Sequence, residues 1–362
     1  MKLFLIGGFL GSGKTTAIQQ ACMQMIRKGQ KVGVITNDQG EQLVDSAFLR
    51  GSNVPTLEVT NGCFCCNYEQ FENHVQTVKA LHQADYIFAE SVGSCTDLIA
   101  TIVKPLAHFY PEIETLVTVF ADARVLPTLT QLSRLFADSV SYIYKKQLEE
   151  ADVLVLSKVD LISEKQLLEL KQLVASRYPD KIVLYQNSLD SDSVQSWVNI
   201  LMDIEPEKNR TTLELDYDTY GAGEALLAWL DQELEIIDSN NDATSVAYTL
   251  INGIYKEIKE QALPVGHLKF LLDDGVQPEK ISFTAVTEPD FARAGHHTKT
   301  KKIYVLINAR LQTGPDQLEA LVNDAIRKLQ VETGIQVLVK KKSSFQPGYP
   351  VPTHRYESTM VG

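Results

Sequence analysis

The sequence predicts an α/β chain in which a mainly parallel sheet flanked by helices is followed by a smaller α+β domain. Three observations predict it. Short β-branched runs alternate with helical patterns from Lys2 to about Asn199, the signature of βαβ units. A glycine-rich loop follows the first strand directly, and the alternation breaks in acidic, polar stretches at Asp203–Asp218 and Asp238–Thr244. The expected strands of the first domain are Leu3–Ile6, Lys31–Thr36, Thr56–Val59, Tyr86–Ala89, Leu116–Phe120, Val153–Leu156 and Ile182–Tyr185. Helices are expected between them, notably Lys14–Arg27, Tyr68–Leu81, Val125–Phe136 and Glu164–Ser176, with one amphipathic helix around Glu224–Leu234 between the acidic stretches. After Ser245 the order reads helix Val246–Gln261, strand Lys280–Thr287, strand Lys302–Asn308, helix Gln317–Leu329 and strand Gln336–Val339, with His267–Leu272 as a further strand. This divides the chain into a first domain over 1–205, a linker with one helix over 206–244, an α+β domain over 245–342 and an extended Pro-rich tail over 343–362.

At 362 residues, two domains are the natural expectation. Hydrophobic residues make up 44% and charged residues 22%, enough apolar surface for packed cores. The net charge of −12 disfavours broad contact with phosphate backbones or anionic lipid, so neither nucleic acid nor membrane is an expected partner. No stretch approaches the roughly 20 apolar residues of a membrane span. The opening Met1–Ile6 begins like a signal peptide but stops at Gly7-Gly8 without a cleavage site. The 5 cysteines are odd in number and unevenly placed, unlike a secreted disulfide framework, and a reducing cytoplasm fits them best.

Gly8-Phe9-Leu10-Gly11-Ser12-Gly13-Lys14-Thr15 matches G-x-x-x-x-G-K-[ST] between a strand and a helix, which makes the first domain a P-loop NTPase domain. Gly11 and Gly13 let backbone N–H groups surround phosphates at a helix N-terminus. Lys14 is expected at the β/γ phosphates and Thr15 at Mg²⁺. At the end of a later strand, Glu90 is the candidate Mg²⁺ carboxylate and Gly93 the backbone donor near the γ-phosphate. Ser157-Lys158-Val159-Asp160 follows an apolar strand. There Asp160 accepts from the guanine N1–H and exocyclic amine, a donor pair adenine lacks, and Lys158 lays its alkyl stem along the purine. That argues for GTP over ATP and against an ATP-dependent kinase.

Cys63-Phe64-Cys65-Cys66 concentrates thiols in one short loop. Adjacent Cys65 and Cys66 are badly spaced for a mutual disulfide, whereas several thiolates can converge on a borderline ion such as Zn²⁺. Three thiolates leave a coordination position open, which suits an ion that is passed on. A redox-active pair and buried small hydrophobes are the competing readings. Cys95 reads first as packing after a strand, with a place at the metal loop as the alternative. Cys22 reads as core within the first helix. His296-His297 reads first as part of a solvated hairpin and second as an accessory metal site, while His267 and His354 are isolated and carry no assignable role.

These motifs resemble the CobW family of GTPases, relatives of the hydrogenase- and urease-maturation GTPases. The opening Gly7–Thr16, the C-x-C-C of Cys63, Cys65 and Cys66, Glu90-Ser91-Val92-Gly93 and Gln147–Asp160 carry the resemblance over about the first 200 residues. It places Asn37-Asp38-Gln39-Gly40-Glu41 and Asp45 in the first switch segment, with acidic side chains serving Mg²⁺ or the attacking water. It implies Gly8, Gly11, Ser12, Gly13, Lys14, Thr15 and Thr16 around the phosphates, GTP hydrolysis, zinc or cobalt at the cysteines, and a metal-dependent client, by analogy a corrinoid-related one. Ser157 stands where the family usually has Asn, which loosens the expected tie between base loop and phosphate loop. Cys95-Thr96-Asp97 replaces a segment that commonly runs to Pro, and the histidine-rich stretch of many members is reduced to His296-His297. The implied function is a GTP-driven metallochaperone or metal-insertase whose switch segment gates the cysteine loop. No arginine finger is identifiable, so slow intrinsic turnover is expected until metal or client completes the site. The rival is a GTP-switched assembly module whose cysteines are structural or redox-active.

Overall fold

A computed structural model describes residues 1–37, 44, 54–60, 62–127, 135–207, 210–276, 278–286 and 299–357. The chain divides into two compact units. The first runs to the end of the second strand, resumes before the third, continues to Gly223 and takes the C-terminal residues from Tyr349; the second is Glu224–Gly348 together with Val44.

The first unit holds seven parallel strands in the order β3-β2-β4-β1-β5-β6-β7. They are β1 (Lys2–Gly7), β2 (Val32–Asn37), β3 (Thr56–Val59), β4 (Tyr86–Glu90), β5 (Glu114–Asp122), β6 (Val153–Ser157) and β7 (Ile182–Gln186). The central strands are apolar except at their ends because both faces are covered. The direction of winding reverses at β1, and the register aligns Ile6 with Glu90, Glu90 with Thr36, and Asp122 with Ser157. The carboxyl ends of the strands therefore share one edge, where an open α/β sheet binds its ligands. Around the sheet run α1 (Lys14–Arg27), α2 (Tyr68–Leu81), α3 (Lys104–Phe109, continuing a π-turn over Ile99–Val103), α4 (Asp138–Glu150), α5 (Glu164–Arg177) and α6 (Ser191–Asp203). The expected helix Val125–Phe136 falls partly on residues 128–134, outside the described ones.

The second unit is an antiparallel sheet in the order β10-β9-β11-β8-β12. Its strands are β8 (Leu227–Ile237), β9 (Val265–Asp273), β10 (Glu279–Phe283), β11 (Lys302–Gln312) and β12 (Gln336–Phe345), with α8 (Ala243–Glu260) and α9 (Pro315–Thr333) sharing one apolar core with the sheet. A further helix, α7 (Tyr217–Ala225), spans the junction in sequence. Among residues outside that core, Arg310 lies 4.0 Å from the Trp229 ring and pairs with buried Asp231 at 2.7 Å. Asn308 bonds Asp231 at 2.8 Å and accepts the Val44 N–H at 2.8 Å.

Two expectations are corrected. Glu224–Leu234 is not a helix: α7 ends at Ala225 and Leu227–Ile237 is a strand, so 206–244 is not a simple linker. Its Ala, Leu and Glu residues favour helix locally, but β8 is paired with β11 on one side and β12 on the other. That pairing overrides propensity. The tail is extended after Phe345 but it is packed, with Thr353 donating its N–H to the Cys65 carbonyl at 2.8 Å and Tyr356 to that of Ala100 at 3.0 Å. Pro347, Pro350 and Pro352 restrict φ before docking, which lowers the entropic cost of ordering it. Among the described residues no helix is long and apolar enough to cross a membrane.

Candidate functional site

The loop after β1 adopts backbone angles that explain its glycines. Gly8, Gly11 and Gly13 have φ of 126°, 72° and 91°, a region side chains avoid. A Cβ at Gly8 would also stand 2.2 Å from the Phe120 carbonyl oxygen. Gly13 precedes α1, whose first turn carries Lys14, Thr15 and half-buried Thr16. Lys14 is buried, and its ammonium donates to the Gly8 carbonyl at 2.7 Å and that of Phe9 at 3.4 Å. The cation thus sits on the carbonyl side of the loop. Thr15 donates its hydroxyl to Glu90 Oε1 at 2.9 Å, bringing together the hydroxyl and carboxylate expected at Mg²⁺. Such hard oxygen donors fit that ion. Gly93 lies against the phosphate loop: a Cβ there would meet the Leu10 side chain at 2.7 Å and its backbone nitrogen at 3.0 Å.

On the base side the expected looseness is absent. Ser157 donates its hydroxyl to the Ser12 carbonyl at 2.7 Å, with the Ala121 carbonyl at 3.2 Å. A serine so placed ties the two loops as a longer amide was expected to. Lys158 has φ of 60° and bonds the Gly11 carbonyl at 2.6 Å and Asp122 at 2.9 Å, so its stem crosses the phosphate loop. Asp160 is exposed on the short turn Val159–Leu161. Sequence reasoning missed Asp122 and Arg124, which pair at 2.7 Å. Burial alone raises the Asp122 carboxyl, but bonds from Arg124 and the charge of Lys158 outweigh it and hold the group below its usual range. The signal was an acid at the end of an apolar strand. Asp38 and Asp45, with Gly40, Glu41 and the pair His296-His297, lie outside the described residues.

The cysteine loop is built between β3 and α2. Among the described residues, the Cys63, Cys65 and Cys66 sulfurs lie within 4.8 Å of one another, at 2.7, 3.2 and 3.9 Å for the pairs 63–65, 63–66 and 65–66. Cys63 and Cys65 are buried, Cys66 partly exposed, and all are free thiols. Asn37, at the end of β2, fastens the loop from below: it donates to the carbonyls of Val59 at 3.1 Å and Gly62 at 2.7 Å and accepts the Phe64 N–H at 2.8 Å. From above, Thr353 donates its hydroxyl to the Cys66 carbonyl at 3.1 Å, and His354 packs edge-on against Tyr68.

Electrostatics make Cys63 the first thiolate. Hydrogen bonds with Cys65, Cys66 and Cys95 lower it well below the usual range against the opposing effect of burial. Its neighbours go the other way: Cys65 is raised by its bond to Cys63, then by Cys66 and burial, and Cys66 is pushed up to about 11, first by its bond to Cys63. The N-terminus of α2 begins at Tyr68, so its partial positive charge also favours thiolate here. Cys22 is buried in α1, and burial raises its thiol, as expected for core. Cys95, read first as packing with the metal loop as the alternative, is buried, and its side chain hydrogen-bonds Cys63. Soft sulfur donors of this kind suit zinc and its neighbours.

Comparison with known proteins bears on the same region. The sequence model of the CobW/HypB/UreG nucleotide-binding domain matches residues 2–184. A Sinorhizobium protein named zinc chaperone CobW is 28% identical over 204 residues, covering 48% of this chain and 55% of its own. The zinc-regulated GTPase metalloprotein activator 1 of Dictyostelium discoideum is 26% identical over 214 residues, 50% of this chain and 44% of its own. The chain thus spans about half the length of these relatives. Among solved structures, HypB from Helicobacter pylori in complex with nickel aligns with 59% of this chain and 91% of its own at 20% identity and a TM-score of 0.42. With a family match over half its length, the chain belongs to the CobW/HypB/UreG nucleotide-binding family.

Proposed function

We propose that this chain is a GTP-binding and GTP-hydrolysing metallochaperone or metal-insertase that takes up zinc or cobalt at Cys63, Cys65 and Cys66 and passes it to a metal-dependent client in a reducing cytoplasm. The observation that carries the reading is the convergence of three thiols within 4.8 Å on a loop fastened by Asn37, the residue that opens the switch segment. The names of the matched zinc chaperones and of the GTPase activator support zinc as cargo and GTP as substrate. A corrinoid-related client follows only from the family resemblance.

In this reading Lys14 leaves the Gly8 carbonyl for the β/γ phosphates, and Ser12, Gly13 and Thr16 supply donors around them. Asp160 receives the guanine edge while Lys158 covers the purine. Thr15 and Glu90 would hold Mg²⁺, which neutralises charge developing on the phosphates. Asp38 and Asp45 serve the attacking water or the ion. Asn37 transmits the state of the switch segment to the cysteine loop, so nucleotide state sets metal affinity.

The test is a titration of Zn²⁺ and Co²⁺ against a competing chelator, for wild type and Cys65→Ser, with GDP and with a non-hydrolysable GTP analogue. The expected result is a coupling of about 1–3 kcal/mol between nucleotide and metal, with metal binding crippled in the variant. Equal affinity in both nucleotide states refutes the coupled cycle and leaves a structural metal in a GTP switch. Equal affinity for ATP and GTP, or no loss in Asp160→Ala, removes the guanine assignment. The 2.7 Å approach of Cys63 and Cys65 also favours a redox pair as a second reading, which predicts no stoichiometric metal.

A further inference from the structure

We propose that Cys95 is a fourth sulfur ligand to the metal held by Cys63, Cys65 and Cys66, delivered from the same loop that carries Glu90 and Gly93. The inference rests on the metal-binding reading above and extends it to a four-thiolate site.

The placement of Cys95 is the first argument. Its thiol lies within hydrogen-bonding reach of Cys63, although its position in sequence, 30 residues from Cys65, gives no local reason for the meeting. It is only 2% exposed. A buried thiol that meets Cys63 from a second segment adds a fourth sulfur beside the three of the loop, and tetrahedral thiolate coordination takes four such donors at about 2.3 Å each. Cys63, Cys65 and Cys66 form the tighter group within 4.8 Å. Cys95 stands beside it against Cys63.

The rigidity of its support is the second argument. Cys95 closes a turn through its N–H to the Val92 carbonyl at 3.0 Å. Gln147 on α4 clamps the turn from outside, donating to the carbonyls of Gly93 at 3.0 Å and Cys95 at 2.9 Å. Thr96 donates to buried Glu150 at 3.1 Å. Asp97, held in the left-handed region at φ 68°, accepts from Tyr217 at 2.7 Å and from Arg355 of the tail at 2.8 Å. A cysteine needed only for packing requires none of this aim, whereas a metal ligand must be held within a fraction of an ångström.

The consequence is a short mechanical path. Glu90 faces Thr15, Gly93 touches Leu10 of the phosphate loop, and Cys95 lies two residues further on. Four thiolates close a site, whereas three leave it open to a recipient. When Cys95 ligates, its thiol proton passes to solvent as the metal–sulfur bond forms.

The experiment counts sulfurs on the full chain loaded with one equivalent of Zn²⁺ in GDP, by X-ray absorption at the zinc edge, and follows the thiolate-to-metal charge-transfer band of the Co²⁺ form. Four sulfurs are expected in wild type and in Cys22→Ala, and three in Cys95→Ser, with GDP binding as the check that the variants fold. Three sulfurs in wild type, or an unchanged count in folded Cys95→Ser, overturns the proposal while leaving the three-cysteine reading intact. If Cys95→Ser does not fold, wild type and Cys22→Ala decide alone: four sulfurs in a chain with only four cysteines left must include Cys95. Absence of any zinc–sulfur bond in wild type overturns both this inference and the function on which it rests.

Discussion

The phosphate loop and the cysteine loop follow strands of the same parallel sheet, β1 and β3, but they are built from different material. The phosphate loop acts through backbone. Its N–H groups surround an anion only if Gly8, Gly11 and Gly13 reach positive φ and the chain passes within contact of Phe120. The cysteine loop acts through side chains, and its parts come from Asn37, Cys63–Cys66, Cys95 and Thr353. The difference teaches that a backbone-built site is continuous in sequence, whereas a side-chain-built site is assembled by the fold.

If the two loops are separate devices joined through the sheet edge, substitutions on each side have different primary effects. The largest is expected from Lys14→Ala, which removes the cation from the phosphate loop. GTP turnover should fall by about 10²–10³-fold, the cost of losing one preorganised charge-stabilising donor, while zinc affinity measured in GDP stays unchanged. A parallel loss of zinc affinity in single-turnover and chelator assays would show that the loops are one unit.

Next in size is Asn37→Ala, which deletes the bonds to Val59, Gly62 and Phe64. Zinc affinity should drop by about 10–100-fold, as for loss of a group that orients ligands without touching the metal, with GDP affinity retained. Retention of full zinc affinity in chelator competition means the cysteine loop holds its shape without β2.

The smallest expected effect concerns stability and pH. Glu150 beneath the Cys95 turn is pushed up to about 8 by burial and then by the charge of Asp97, against the opposing bonds from Thr96 and Ile99. The folded chain therefore holds this proton more tightly than the unfolded chain. The stability it contributes is fully present below the ordinary carboxylate range and is lost as pH rises through about 8. Glu150→Gln should flatten the fall in Tm between about pH 5 and pH 8.5. An identical pH slope in the variant assigns the effect to another group.

Much of the nucleotide side could be read before the fold. Glycine spacing, a strand before and a helix after are local consequences of backbone conformation, and the structure sets the Thr15 hydroxyl on Glu90 and the Lys14 ammonium on the Gly8 carbonyl. Asp122 was harder to see because its distant partner, Lys158, comes alongside only when β5 and β6 pair. The thiol cluster was plain in the sequence, whereas the meeting of Cys95 with Cys63 was not, because nothing local to Cys95 signals it.

By itself the sequence determined whatever depends on neighbours along the chain: the alternation that makes a parallel sheet, the curl of the phosphate loop and the clustering of Cys63, Cys65 and Cys66. The tertiary structure alone decided which distant pieces meet. It made Leu227–Ile237 a strand despite helix-favouring residues, because β11 and β12 supply hydrogen-bonding partners on both sides. It brought Asn37 beneath the cysteine loop, the tail above it and Cys95 beside it. The physical reason is one of range: conformational preference acts over a few residues, while hydrogen-bond pairing and burial act between segments whose separation in sequence carries no signal of their contact.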